Sequence, residues 1–481
     1  MFDLRPVAYV VGWLVAALGA TMLIPMAVDF AQGNPHWRVF LISSFTTILL
    51  GGLVALSTAN TAGQTPSIQQ TFLLTTGVWV ALPVFGALPF WLGETQSAYV
   101  DAFFEAMSGL TTTGATVLDG LQELPAGLLL WRGLLQWFGG IGIIVVAMVF
   151  LPELRIGGMQ IFRSEGFDTL GKILPRASQI AQQISVIYVG LTGICAIAYA
   201  ICGMSAFDAI VHAMTTVATG GFANYDESFA VFPTSVEYAA ILFMILSALP
   251  FVRYIQLISG TSKPLFVDAQ VRTFLLLALS VASLMTLARL SDGVLIEPAL
   301  RTAAFNAVSI LTGTGYASAD YNTWGAFPVT LIFFAGLIGG CAGSTSCSVK
   351  VFRYQLLISA IGAQIRRIHS PHGVFTARFA GRPVSDDVLS SVMSFFVFFL
   401  VTLVILAVAL SMTGLDFVTS VSGASAALAN IGPGLGDQIG PAGNYAGIGD
   451  TAKWLLSAAM LVGRLELLVV YAILTRVFWR A

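Results

Sequence analysis

From Pro6 to Val28 the chain carries no charged residue, and a second apolar run extends from Val39 to Ser57. Each is about 20 residues, the length that crosses a bilayer as a helix. The first exceeds the roughly 7–15 residues of a signal-peptide core and reads as a retained helix. The pair predicts an N-terminal helical hairpin. Beyond it the pattern repeats. Long apolar runs at Thr71–Gly93, Ile184–Cys202, Thr273–Leu290 and Ser390–Met412 lead into half-apolar stretches at Tyr99–Leu110, Ser205–Thr216, Pro298–Leu311 and Phe417–Ala429. A Gly- and Thr-rich segment follows each, then another long run: Leu124–Phe150, Val236–Ile258, Phe327–Ile361 and Ala452–Phe478. The middle stretches, about 12 residues each, are too short to span and suit re-entrant helices. The predicted unit is membrane helix, pore helix, extended loop, membrane helix.

This periodicity predicts an all-α polytopic membrane protein: a hairpin (1–66) and four parallel pore repeats (67–165, 166–262, 263–368 and 369–481) around one central pore. Of 481 residues, 57% are hydrophobic and 10% charged, against roughly 25% charged in a soluble domain. Lipid is therefore the main surroundings. The net charge of −2 gives no field for nucleic acid. A β-barrel would alternate apolar and polar residues over about 10 positions, which these runs do not. Cys195, Cys202, Cys341 and Cys347 are too few for a disulfide scaffold. His212, at membrane depth in a pore helix, lacks the partners of an intramembrane hydrolase, and no enzyme or organic cofactor is expected.

The four Gly-rich segments align as Met107-Ser-Gly-Leu-Thr-Thr-Thr-Gly-Ala-Thr116, Met214-Thr-Thr-Val-Ala-Thr-Gly-Gly-Phe-Ala223, Val308-Ser-Ile-Leu-Thr-Gly-Thr-Gly-Tyr-Ala317 and Ala427-Leu-Ala-Asn-Ile-Gly-Pro-Gly-Leu-Gly436. In this frame Gly114, Gly220, Gly315 and Gly434 correspond, preceded by Thr113, Thr219, Thr314 and Pro433. The stretches around these glycines hold thirteen acidic residues, among them Glu94, and Arg301 as the one basic residue. Residues 151–183 hold Arg155, Arg163, Lys172 and Arg176; residues 253–272 hold Arg253, Lys263 and Arg272; residues 350–388 hold Lys350, Arg353, Arg366, Arg367, Arg378 and Arg382. The positive-inside rule places these basic loops in the cytoplasm and the glycine loops outside.

An extended loop whose carbonyls converge on one axis can replace the water of a cation. Such backbone is tolerated at membrane depth where it lines a pore, and glycine supplies the needed dihedrals. The expected cation-binding filter comprises Thr112, Thr113, Gly114, Ala218, Thr219, Gly220, Gly313, Thr314, Gly315, Gly432, Pro433 and Gly434. Asp119, Asp226, Asp320 and Asp437 lie three to six residues beyond the glycines and predict a carboxylate ring at the outer mouth, which concentrates cations.

Thr111-Thr-Thr-Gly-Ala-Thr116, Ala218-Thr-Gly-Gly-Phe222, Thr312-Gly-Thr-Gly-Tyr316 and Asn430-Ile-Gly-Pro-Gly-Leu435, with the extra hairpin, resemble the Trk/Ktr/HKT superfamily of potassium transporters, and in particular its bacterial TrkH-type membrane subunits. The resemblance covers essentially the whole chain. It implies potassium as the transported ion, held at the filter, with Gly114 favouring potassium over sodium. It further implies residence in the bacterial inner membrane, a homodimer, and a cytosolic nucleotide-binding regulatory subunit of the TrkA type. The fourth filter departs most from the Thr-Gly pattern.

The second long run of repeat three is interrupted by Gly339-Gly-Cys-Ala-Gly-Ser-Thr-Ser-Cys-Ser348, followed by Lys350. A broken helix at membrane depth lines a water-filled path. Arg464, inside the last apolar run, is costly there and reads as functional. The predicted gate comprises Gly339, Gly340, Gly343, Ser344, Thr345, Ser346, Lys350 and Arg464: the loop blocks the path and the guanidinium repels cations, as the resemblance also implies. The competing reading of Arg464 is pairing with Glu466 or with another helix. Glu466 also keeps open a symporter coupling potassium to protons or sodium.

Overall fold

The structure, a computed structural model, describes residues 3–63, 67–93, 95, 97–146, 158–159, 177–261 and 263–480. Glu94, Arg155, Arg163, Lys172 and Arg176 lie outside the described residues. The protein is an all-α, multi-pass membrane fold: an N-terminal hairpin, then four units of helix, short helix, loop and helix. Among the described residues, seven helices are long and apolar enough to span, or nine counting two bent pairs.

The hairpin shows how packing works where lipid is as apolar as leucine. Its helices, Arg5–Thr21 (continued as Leu23–Ala31) and Trp37–Ser57, meet through small residues. A Cβ on Gly12 would stand 2.7 Å from the Ala55 backbone nitrogen, and one on Gly51 2.6 Å from that of Ala16. Ser44 donates its hydroxyl to the Gly19 carbonyl at 2.7 Å. Leu41, Ile42, Phe45, Leu49 and Leu53 point outward. Small residues inside and large apolar ones outside is the arrangement that lets membrane helices gain from close contact. Asp29 and His36, both buried, tie the hairpin to repeat one. The Asp29 carboxylate accepts from the Gly127 backbone N–H at 2.6 Å and faces the His36 ring nitrogen at 3.2 Å.

The pore helices are Tyr99–Leu110, Ala206–Val217, Ile296–Thr312 and Phe417–Ala429; the third, at 17 residues, is longer than its apolar stretch suggested. They are buried along most of their length. The helices after the loops differ from expectation. Repeat one has an unbroken Ala126–Val145. The other three are all broken, where the sequence marked only the third. Thr234–Ser247 turns by 90° into Phe251–Ile258, behind Pro250, which has no N–H to continue the ladder. Residues 337–350 separate Ala326–Gly336 from Val351–His369. Asp450–Arg464 turns by 110° into Leu468–Leu474, with Glu466 and Leu467 at φ 62° and 43°. At the basic end a small antiparallel hairpin pairs Arg378–Phe379 with Arg382–Pro383.

The crossing predicts a contrast between neighbouring glycines. Gly51→Leu places a side chain into backbone and should cost about 1–3 kcal/mol or more, lowering the temperature at which the purified protein loses monodispersity. Gly52→Leu, whose Cβ meets nothing within 4 Å, should leave it unchanged.

Candidate functional site

Each pore helix ends in the same turn. The N–H groups of Thr112, Thr219, Gly313 and Asn430 bond to carbonyls three residues back, at 2.9, 3.0, 3.1 and 3.3 Å. Those of the following residues, Thr113, Gly220, Thr314 and Ile431, bond five back, at 2.8, 2.9, 2.8 and 3.0 Å. This is a Schellman cap, which needs a left-handed residue at its corner. The corner φ values are 52°, 49°, 78° and 52°. Thr112 and Thr219 are β-branched, so surrounding structure must hold them there.

The next residue is glycine in all four loops: Gly114, Gly221, Gly315 and Gly432, with φ of 83°, 80°, 83° and 99°. A Cβ on Gly114 would collide with the Gly220 carbonyl, one on Gly221 with that of Thr314, and one on Gly315 with that of Ile431. One on Gly432 would stand 2.7 Å from the Thr113 carbonyl, closing the ring. Gly221 and Gly432 are therefore the counterparts of Gly114 and Gly315, and the frame built on Gly220 and Gly434 is corrected by one and two residues. Gly220 carries a ring carbonyl. Ala218 ends its pore helix, Pro433 follows the fourth ring glycine, and the Gly434 N–H bonds to the Ile439 carbonyl at 2.7 Å. The sequence frame missed Gly221, Asn430 and Ile431. The shared Gly-aromatic-Ala of Gly221-Phe-Ala and Gly315-Tyr-Ala was the signal for repeat two.

Buried polar side chains brace the loops from behind. Arg132 donates to Glu105 at 2.8 Å, both side chains at most 1% exposed, and to the Ala223 carbonyl at 2.6 Å. Glu105 also accepts from the Val117 N–H at 3.0 Å. Gln136 donates to the Gly220 carbonyl at 2.6 Å and accepts from the Phe222 N–H at 3.0 Å. Asn430 donates to the Thr113 hydroxyl at 2.9 Å, and the Tyr445 hydroxyl donates to the Gly432 carbonyl at 2.7 Å. His212, which sequence left without partners, accepts from the Asn224 N–H at 3.3 Å and sits 2.8 Å from the Asp208 carbonyl. At the exposed start of the fourth pore helix, the Thr419 hydroxyl and the N–H groups of Val418 and Thr419 hold the Asp416 carboxyl below its ordinary pKa.

A cavity of about 200 Å³ opens above the ring, lined by all four ring glycines and by Asp119 and Asp226. Asp320 and Asp437 are not among its lining residues. Asp226 braces a loop, accepting from the N–H groups of Gly120 and Leu121 at 3.0 and 3.1 Å. Asp320 caps the Asn322 N–H at 3.0 Å.

Against the opposite side of the ring lies the loop containing Gly339, Gly340, Gly343, Ser344, Thr345 and Ser346, buried almost throughout. Ser346 donates to the Thr312 carbonyl at 2.6 Å, and Thr345 to the Ser247 carbonyl at 3.0 Å. The Gly343 carbonyl accepts from the Phe251 N–H at 2.9 Å, so the loop leans on the helix break of repeat two. Cys347 touches the Thr112 hydroxyl at 3.7 Å and accepts from Arg464. Arg464 is 3% exposed and also donates to the Gly139 carbonyl at 3.1 Å. Its pairing with Glu466 does not form. Glu466 instead meets Lys350 at 3.2 Å and also Arg353. Lys350 and Arg353, counted above as loop charges, are thus buried beside the broken helices. Sequence missed Arg132, Arg353 and Glu105 as structural members, although Arg132 stood inside an apolar run.

Residues 36–478 match the TrkH family model, described as a cation transport protein. The chain is 44% identical over 472 residues to the Trk system potassium uptake protein TrkI of Halomonas elongata, covering 97% of this chain and 95% of that one. It is 35% identical over 485 residues to the TrkH protein of Salmonella typhimurium, covering 99% of each. The crystal structure of the potassium transporter TrkH from Vibrio parahaemolyticus superposes with a TM-score of 0.91 at 33% identity, over 100% of both chains.

The brace behind the ring predicts a stability effect. Glu105→Gln strands the buried Arg132 charge, a loss worth about 3–5 kcal/mol for a broken buried pair. The purified variant should melt several degrees lower, and adding Arg132→Gln should recover part of the loss.

Proposed function

This chain belongs to the TrkH family of cation transport proteins, and from that premise we propose that it takes up potassium across the bacterial cytoplasmic membrane through a channel-like pore. The observation that carries the reading is the closed ring of four carbonyls, each pressed against a glycine of the next loop. Backbone carbonyls gathered around one axis are, in this reading, the chemistry that substitutes for a cation's hydration shell. The pore helices point their negative ends at this ring, which adds to the attraction. In this reading the mouth with Asp119 and Asp226 faces outward, and the end carrying the exposed Arg366, Arg367, Arg378 and Arg382 faces the cytoplasm, a reading the positive-inside rule supports.

The loop under the ring is the gate in this reading. It fills the path below the carbonyls and brings the Arg464 guanidinium beneath them, where a positive charge opposes a cation. The salt links of Glu466 to Lys350 and Arg353 hold the end of the loop to the break in the last helix. They also occupy the carboxylate a proton-coupled symporter would use, which favours channel-like conduction. The relatives' names place them in a Trk system. A TrkA-type cytosolic subunit at the basic end, and a homodimer, complete the proposal.

Rubidium uptake in cells lacking their own potassium uptake tests the ring. Gly221→Ala and Gly432→Ala should each reduce uptake roughly tenfold or more. Gly434→Ala, whose Cβ meets only the side chain of Ile439 within 3 Å, should stay within roughly threefold. Equal loss at Gly432 and Gly434 would refute this frame. For the gate, Arg464→Ala should raise rubidium flux in reconstituted vesicles; unchanged or lower flux in correctly folded protein would remove Arg464 from the gate.

A further inference from the structure

Trp79 lines an apolar cavity of about 520 Å³ and also contacts the buried Arg464. The guanidinium carbon lies 5.6 Å from the Trp79 ring centroid. Leu14, Leu18, Val78, Phe138 and Gly142 line the cavity with it. Gly139 also lines the cavity, and its carbonyl is the one that accepts from Arg464. The cavity lies between the first hairpin helix and the two long helices of repeat one, one residue layer from the loop under the ring.

Its chemistry selects the occupant. Three hydroxyls reach its lining, those of Thr21, Thr75 and Ser185. Each is already committed to a carbonyl of its own helix: Thr21 to Leu18 at 2.7 Å, Thr75 to Thr71 and Ser185 to Ala181 at 2.8 Å. With its donor protons so committed, the lining offers a water no hydrogen-bond donor from these hydroxyls, and a predominantly apolar wall favours an apolar occupant. The size falls within the roughly 300–1,000 Å³ of ligand pockets. Val80 and Val84, on the helix that carries Trp79, are exposed, as are the lining residues Val10 and Leu14, so the hydrocarbon of the bilayer is the medium at its rim.

We propose that this cavity binds a single acyl chain of a membrane lipid, which packs against Trp79, the ring that also contacts Arg464. Binding rests on the shape and apolar wall of the cavity and is independent of the gate reading. Where it is occupied, the chain fixes Trp79 against the guanidinium and so supports the side chain beneath the ring.

The test uses the full chain reconstituted in vesicles of phosphatidylethanolamine and phosphatidylglycerol, doped with a phospholipid that carries a diazirine near its acyl terminus. After illumination, adducts are mapped by mass spectrometry. Adducts are expected on the segments 74–82 and 138–146. Gly142→Phe should reduce them about fivefold, because a Cβ there stands in ordinary contact, 3.8 Å from Trp79, and the ring fills the cavity. Adducts on the outward Leu276, Leu279 and Leu287 should not change, which also reports correct insertion. If Gly142→Phe does not insert, Val78→Phe fills the same space. Absence of adducts on both segments, or adducts that persist at full intensity in an inserted cavity-filled variant, would overturn the proposal.

Discussion

Four backbone carbonyls each press on the next loop around the ring, and their spacing is set by what stands between loop and loop. At each junction that is the α-carbon of a glycine. A methyl group there would occupy the position of the next loop's oxygen. The rest of the molecule follows from this closeness. The caps that turn the pore helices need left-handed corners, and two of those are threonines, strained at a cost of order 1–3 kcal/mol each. Such strain persists where surrounding structure over-determines it. Here the Glu105–Arg132 pair, Gln136, Asn430 and Tyr445 each anchor a loop through hydrogen bonds to its backbone or hydroxyls.

The same logic explains where the charges went. A charge at membrane depth must be paired or face water. Glu105 with Arg132 stiffens the ring from outside the axis. Glu466 with Lys350 and Arg353 ties the buried loop to the last broken helix. Arg464 has a softer set: a thiol, a carbonyl and the face of Trp79. Two of these contacts also border the apolar cavity, so the support of Arg464 and the surface offered to lipid share one wall.

The architecture was legible because span length and helix ends are local properties. The first pore helix, Tyr99–Leu110, and the fourth, Phe417–Ala429, begin and end where their apolar stretches do. The filter frame was less legible. A Thr-Gly pair suggested Gly220, and position in the aligned segment suggested Gly434, but the frame is set by the left-handed corner two residues upstream, and Asn430 fills that place without resembling Thr112. Closeness in sequence to a glycine does not by itself bring an acidic residue to the cavity: Asp119 and Asp226 line it, and Asp320 and Asp437 do not.

The sequence by itself determined the membrane environment, the hairpin, the fourfold repeat and the segregation of acidic from basic residues. Each is written in contiguous stretches of the chain, and hydrophobic length decides which of them can span. Only the tertiary structure decided which glycines meet which carbonyls, since Thr113 and Gly432 are more than 300 residues apart. It also decided the break at Leu465–Leu467. No glycine or proline marks that stretch; the positive φ of Glu466 coincides with its reach toward Lys350 and Arg353, on a helix the local pattern would have continued. A partner brought by folding outweighs propensity there, because an unpaired buried charge costs more than a broken turn.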